Sequence, residues 1–332
     1  MKAMQLQNSA PVGQKPLALV ELPDPEPGEG QIRVKVNACG ICRTDLHIVE
    51  GELTPHLRPV VPGHQIVGVV DKLGPGASHY QLGARVGIPW LYQTDQTCHY
   101  CQTGRENLCE HGQFTGYDVN GGYADYHIVH QDFAYALPAG FDDLQAAPLL
   151  CGGVIGFRAL RLAEIKPGSR VGLYGFGSSA HMCIQILRHW GCEVYVFTRE
   201  PAHQEFSLKL GAKWAGNSNQ LPSVKMDNSI IFAPAGPLVI DALKALDKGG
   251  TLALAGIYMS PIPSFDYNLI YGERTVRSVA NSTRQDAIDL LKLAAEIPIH
   301  TEVNLFELSE LNEALIKLKA GEFDGSGVIK IA

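Results

Sequence analysis

No stretch of this chain is long and apolar enough to span a bilayer: the best, from Ala146 to Phe157, is short and broken by Pro148 and three glycines. The opening residues, Met1 to Gly13, hold no apolar core followed by a small-residue cleavage site, which predicts a protein that is not exported. Charge is sparse. Charged residues make up 18% of the chain and the formal net charge is -7, so there is no basic excess to hold nucleic acid or an anionic membrane surface. Internal repeats and low-complexity tracts are missing too. Eight cysteines would suggest disulfides in a small secreted domain. This chain has 332 residues and is not expected to be exported, and three of the eight fall between Cys98 and Cys109, so metal-bound thiolates in a reduced cytoplasm are the better reading.

What is present is enough chain, at 45% apolar residues, for about two domains with substantial cores. Residues 1 to 149 read as β-rich. Gln31 to Asn37 alternates polar and apolar as a half-buried strand does, and His64 to Leu73 is a valine-rich strand closed by Gly74-Pro75-Gly76. Gly83 to Gly87 and Tyr123 to Val129 are further short strands, and many short strands with Gly/Pro punctuation suggest a barrel-like domain. From about 150 the pattern becomes strand–helix alternation. Strands are expected at Arg170 to Tyr174, Glu193 to Phe197, Ser229 to Phe232, Gly250 to Ala255 and Thr275 to Ala280. Helices are expected at Ser179 to Trp190, Ala202 to Leu210 and Pro237 to Leu246, which makes a parallel sheet with crossover helices. After a helix at Arg284 to Ala295, short strands at Thr301 to Phe306 and Val328 to Ile331 return to the first domain.

Gly175-Phe176-Gly177-Ser178-Ser179-Ala180 follows the first strand of the alternating region and opens its first helix. This is the G-x-G-x-x-A form of the dinucleotide fingerprint. The first glycine makes the tight turn, and the second lets the backbone approach a pyrophosphate at the helix N-terminus. Proteins that prefer NAD carry an acidic residue near the end of the second strand. Here that strand ends Val196-Phe197-Thr198-Arg199-Glu200, where Arg199 can pair with a 2′-phosphate and Thr198 can donate to it, so NADP is preferred over NAD. The alternative is that Arg199 is a solvated loop charge and Glu200 takes the ribose.

Cys42, His64 and Cys151 offer two thiols and an imidazole for zinc, which in catalytic sites keeps three protein ligands and one open position. Two thiolates nearly cancel the 2+ charge and suit alcohol oxidation. Three neutral ligands would leave the ion more positive and better suited to hydroxide attack. Thr44 and His47 add a hydroxyl and a second imidazole that can carry a proton out of a dry cleft.

In order, Gly40-Ile41-Cys42-Arg43-Thr44-Asp45-Leu46-His47, Gly63-His64, Gly104-Arg105-Glu106-Asn107-Leu108-Cys109, Cys151-Gly152-Gly153 and the dinucleotide turn make a highly specific set. The chain resembles the zinc-dependent medium-chain alcohol dehydrogenases over nearly its whole length. That resemblance implies an α/β protein with a GroES-like β-barrel catalytic domain over 1-149 and 286-332 and a doubly wound Rossmann domain over 150-285. It implies Cys42, His64 and Cys151 as catalytic zinc ligands, Asp45 as the acceptor that orients His64, Thr44 and His47 as the proton relay, and Arg43 against the pyrophosphate. Cys39 is expected to be a buried thiol and no ligand. It also implies small alcohol or aldehyde substrates and a homodimer or homotetramer joined by edge strands of the cofactor domains.

Several departures stand out. Relatives carry four cysteines spaced C-x2-C-x2-C-x7-C, and here that spacing falls on Asp95, Cys98, Cys101 and Cys109, so a carboxylate replaces the first thiol of a structural zinc site. Gln65 stands where relatives have Glu, which leaves the field of the ion less screened. Gly325-Ser326 replaces a Gly-Arg pair, removing a pyrophosphate contact, and Ile155 replaces a Thr. Trp90 sits where relatives line the substrate pocket, where an indole would favour flat or slim apolar alcohols; a plain core Trp is the equal alternative. The rival readings are a zinc-free quinone or enoyl reductase of the same superfamily, and a cofactor-binding or redox-sensing protein without turnover. The ligand and relay set counts against both.

Overall fold

One long strand organises the sheet on which most of the candidate residues depend. In the computed structural model, which describes residues 1–297 and 299–332, Gln31–Ile41 is the hub of a seven-stranded sheet. Its alternation buries Ile32, Val34, Val36 and Ala38 while Gln31, Arg33 and Lys35 stay at least partly exposed. Each fully buried aliphatic side chain of this kind stabilises the fold by roughly 1.5–3 kcal/mol. The strand pairs antiparallel with Ile66–Leu73, Tyr126–His130 and Ser326–Lys330. Val303–Glu307 lies parallel beside the last of these, so the C-terminal segment joins the sheet. Arg85–Ile88 and Tyr135–Ala136 extend it beyond Ile66–Leu73.

Cys39, Gly40 and Ile41 are all buried, so the strand end that leads to Cys42 is rigid. The helix Arg43–Glu50 starts at once, with Asp45 Oδ2 accepting the Cys42 N–H at 2.8 Å, and Gly51 ends it at φ +82°. The strand expected from His64 begins only at Ile66. Gly63 turns the chain at φ +98°, and its N–H and carbonyl go to Asp45 and the Gly122 N–H, so His64 and Gln65 precede the ladder. Likewise the strand expected from Tyr123 starts at Tyr126. Elements without a forecast in the sequence pattern include the antiparallel pair Lys2–Leu6 with Leu17–Glu21, the helix Gly152–Leu162 and the helix Leu311–Ala320.

The described chain divides into two compact units. The first holds Met1–Cys151, Asn281–Glu296 and His300–Ala332, the second Gly152–Ala280 and Ile297–Ile299. In the second unit six parallel strands lie in the order Trp214–Gly216, Glu193–Phe197, Arg170–Tyr174, Met226–Ile231, Leu246–Leu254, Thr275–Ser278. Chain order reverses between Arg170–Tyr174 and Met226–Ile231, the switch point at which doubly wound sheets bind ligands beyond their carboxyl ends. The helices Ser178–His189, Pro201–Lys209 and Leu238–Ala245 fall within a residue or so of their forecast positions. Among the described residues no helix is long and apolar enough to cross a membrane.

His127, on Tyr126–His130, is 3% exposed, and its Nε2 has no hydrogen-bond partner among the described residues. Burial pushes its pKa from the ordinary 6.5 down to about 4, against backbone groups of Asn120 and Gly121 that favour the charged form. Between those two values the unfolded chain holds a proton here that the native chain lacks. Stability from this group is therefore complete above pH 6.5 and falls as the pH drops toward 4, by about 3 kcal/mol in all. Urea unfolding of His127→Gln at pH 7 and pH 4.5 should show a smaller loss on acidification than wild type; equal losses would contradict this account.

Candidate active site

Three segments of the first unit end at one point. Cys42 closes the hub strand, His64 follows the Pro62–Gly63 turn, and Cys151 follows the 3-10 turn Ala147–Leu150. Cys42 Sγ lies 3.7 Å from Cys151 Sγ, His64 Nε2 lies 3.3 Å from Cys151 Sγ, and all three donors fall within 4.8 Å of one another. Tetrahedral zinc bound at about 2.3 Å to sulfur and about 2.0 Å to nitrogen requires separations of about 3.8 Å between sulfurs and about 3.6 Å between sulfur and nitrogen. The donor set fits that ion and leaves one corner of the tetrahedron to another ligand. Cys39 is fully buried and takes no part in the cluster.

His64 is 1% exposed and its Nδ1–H donates to Asp45 Oδ1 at 3.1 Å, which turns Nε2 toward the thiols. Asp45 is fully buried and also accepts the Gly63 N–H at 3.2 Å. Burial by itself would lower the imidazole pKa; Asp45 and the Cys42 sulfur outweigh it and raise it to about 10. The hydrogen bond between the two sulfurs, helped by His64, pushes Cys42 well below the usual thiol range, and the same bond with burial pushes Cys151 up. Gln65 is buried over Gly40, where any Cβ would meet its Oε1 at 2.7 Å.

Thr44 and His47 sit one helical turn apart on Arg43–Glu50. Thr44 Oγ1 lies 3.6 Å from Cys42 Sγ, and His47 Nδ1 pairs with Glu52, whose side chain is 44% exposed. Arg43 is exposed at the head of the helix. Trp90 turns an edge to the His64 ring at 5.0 Å, stacks on Phe114 at 5.1 Å and meets Tyr117 at 5.8 Å. The sequence reading contained Trp90 alone of these aromatics, and neither Glu52 nor the Tyr123 hydroxyl 3.0 Å from Asp45 Oδ2. Only the paired glycines before Tyr123 hinted at a close approach there.

Asp95, Cys98, Cys101 and Cys109 form a second cluster whose donor atoms also lie within 4.8 Å of one another. Asp95 Oδ1 accepts the N–H groups of Cys98 and Thr97, both at 2.9 Å, and these bonds hold the carboxyl well below its usual range. Burial, with the neighbouring Cys98 and Asp95, pushes Cys101 up to about 12. Three thiols and an ionised carboxylate suit a closed tetrahedral zinc site.

In the second unit, Gly175 turns at φ +87°, and a Cβ there would crowd Ala233 at 3.1 Å. Gly177 caps the helix Ser178–His189, and a Cβ there would stand in open space. The helix N-terminus over Ser178, Ser179 and Ala180 is therefore clear for a pyrophosphate, and its first turn carries no acidic residue. Thr198 is buried at the end of the next strand, while Arg199 and Glu200 are exposed.

The chain is 43% identical to a probable alcohol dehydrogenase, AdhA, of Mycobacterium tuberculosis, over 100% of this chain and 97% of that protein. It belongs to the zinc-binding alcohol dehydrogenases. The family description "Alcohol dehydrogenase GroES-like domain" matches residues 28–139, and "Zinc-binding dehydrogenase" matches 180–296. An alcohol dehydrogenase of Geobacillus stearothermophilus is 33% identical over 96% of this dehydrogenase and 97% of its own length. Among solved structures, a cinnamyl alcohol dehydrogenase of Sorghum bicolor superposes with a TM-score of 0.90 at 27% identity, covering 98% and 97% of the two chains. The two-domain α/β architecture expected from the sequence, GroES-like and Rossmann-like, is therefore that of this dehydrogenase.

The metal-stripped chain should be alkylated by iodoacetamide at pH 7 first at Cys42, the thiol held deprotonated, with buried Cys39 and Cys183 unreactive. Mass mapping checks the order, and added zinc should protect Cys42. Labelling of Cys39 as fast as Cys42 would contradict the assignment of charge.

Proposed function

We propose that this oxidoreductase interconverts small alcohols and their aldehydes or ketones by hydride transfer with NADP(H), using Cys42, His64 and Cys151 as ligands of a catalytic zinc. The observation that carries the reading is the separation of the three donors, 3.7 Å and 3.3 Å, in a set whose charge nearly cancels that of the ion. Zinc bound there supplies a Lewis acid that polarises the substrate oxygen. The chain's own groups do the rest. Asp45 keeps the His64 ring turned so that Nε2 serves as a ligand. Thr44 takes the proton lost by the substrate hydroxyl, and His47, paired with the half-exposed Glu52, is the group from which a proton is released to solvent. The buried surroundings of Thr44 and Asp45 keep bulk water from competing for that proton.

The finer assignments follow the same residues. Gly175, Gly177, Ser178, Ser179 and Ala180 cradle the cofactor phosphates. Arg199 and Thr198 take the 2′-phosphate; Arg199 makes no hydrogen bond or ion pair among the described residues and is available to do so. Asp95, Cys98, Cys101 and Cys109 hold a structural zinc. Trp90, with Phe114 and Tyr117 behind it, forms a flat apolar wall beside His64 and favours aromatic or slim primary alcohols; a cinnamyl alcohol dehydrogenase among the similar structures agrees with that choice. The four exposed residues of Thr275–Ser278, at the edge of the parallel sheet, support assembly into dimers or tetramers by strand pairing.

Oxidation of benzyl alcohol should be abolished by a chelator and restored by zinc, which a zinc-free reductase or a non-catalytic protein would not show. Arg199→Ala should lower kcat/KM with NADP roughly 10- to 100-fold and leave that with NAD nearly unchanged, the loss of one charge-assisted contact. An unaltered ratio between the two cofactors would sink the NADP assignment. Trp90→Ala should reduce kcat/KM for benzyl alcohol about tenfold more than for ethanol, as loss of an aromatic contact predicts.

A further inference from the structure

Tyr123 is fully buried, and its hydroxyl lies 3.0 Å from Asp45 Oδ2 and 3.1 Å from the Gly40 carbonyl. With one proton to give, the hydroxyl donates to the stronger acceptor, the carboxylate. Its ring packs against the turn before His64: a Cβ added at Gly63 would stand 3.0 Å from both Cδ atoms. Its N–H donates to the Pro62 carbonyl at 3.1 Å, and the Gly122 N–H donates to the Gly63 carbonyl at 2.9 Å. One residue thereby touches both supports of the His64 imidazole, the carboxylate that takes its Nδ1–H and the backbone that carries it.

The other three donors to Asp45 come from Cys42, Gly63 and His64, which are the segments being held. Among the described residues, Tyr123 alone reaches the carboxylate from outside those segments. Phenylalanine would fill the same space and leave Oδ2 with the Cys42 N–H only, at a depth where water does not replace the lost donor.

We propose that Tyr123 is a positioning residue for the zinc centre: by completing the donor set of Asp45 it fixes the carboxylate, and through it the orientation of His64 Nε2 toward Cys42 and Cys151. The inference rests on the reading of those three side chains as zinc ligands. In the zinc-loaded full chain, challenged with a chromophoric chelator, Tyr123→Phe should release the zinc of this centre at about tenfold lower chelator concentration than wild type. Cobalt bound at the centre should show shifted d–d bands. Because the buried ring is retained, thermal unfolding of the variant should stay cooperative. With Asp45→Asn already present, adding Tyr123→Phe should change zinc retention no further.

Equal zinc retention and identical cobalt spectra in Tyr123→Phe and wild type would overturn the proposal and leave the ligand reading standing. A tenfold loss that persists undiminished beside Asp45→Asn would overturn it too, since the effect would not pass through the carboxylate. Cys42→Ser identifies which bound zinc belongs to the centre. If that variant keeps the zinc content of wild type, the ligand reading falls and this inference with it.

Discussion

A carboxylate withdrawn from water holds the first unit's chemistry together. Asp45 has no solvent exposure, and its two oxygens are met by Cys42, Gly63, His64 and Tyr123. A buried charge with its partners removed is strongly destabilising, by about 3–5 kcal/mol. The four donors are therefore a condition of folding as much as of function. Through them Asp45 caps the helix Arg43–Glu50, ties the Pro62–Gly63 turn to the hub strand and fixes the imidazole of His64. The cluster of Cys42, His64 and Cys151 and this part of the fold are one structure, and neither can shift without disturbing the other.

The two clusters differ in charge. Cys42, His64 and Cys151 would bring two negative charges at most to a divalent ion and leave one coordination position open, as reactive zinc does. Asp95 with Cys98, Cys101 and Cys109 would bring four, in a closed set. An Asp at the first position keeps that total unchanged from four thiolates while replacing a soft donor by a hard one. The amides of Thr97 and Cys98 stabilise the carboxylate anion as N–H groups do at a helix cap. In the second unit the chemistry is backbone chemistry. Gly175 and Gly177 clear a helix N-terminus, and the sheet order puts that terminus at the switch point.

The aromatic wall shows how little of such a surface resides in single residues. Trp90 acquires its orientation from Phe114 and Tyr117, which lie beyond the cysteine lobe in sequence and come back beside it through the short ladder Leu91–Gln93 with Gln113–Phe114. The rim of this wall continues into His56, whose Nδ1 bonds Asp118 at 2.6 Å.

What the amino-acid order determined alone was local or compositional. The strand–helix alternation after residue 150 is legible because the inner strands of the sheet are short, largely buried apolar stretches, and Gly175, Gly177 and Ala180 are recognisable because a tight turn tolerates few alternatives. The types and spacing of Cys42, His64 and Cys151 announced a metal, but not that sulfurs 109 positions apart would lie 3.7 Å from each other. Their meeting was decided by strand pairing, a long-range event with no local signature. So were the start of the strand at Ile66, which a positive φ at Gly63 delays, and the roles of Tyr123 and Glu52. A hydrogen bond to a buried carboxylate depends on which segments the sheet brings together, and the periodicity of any one segment is blind to that.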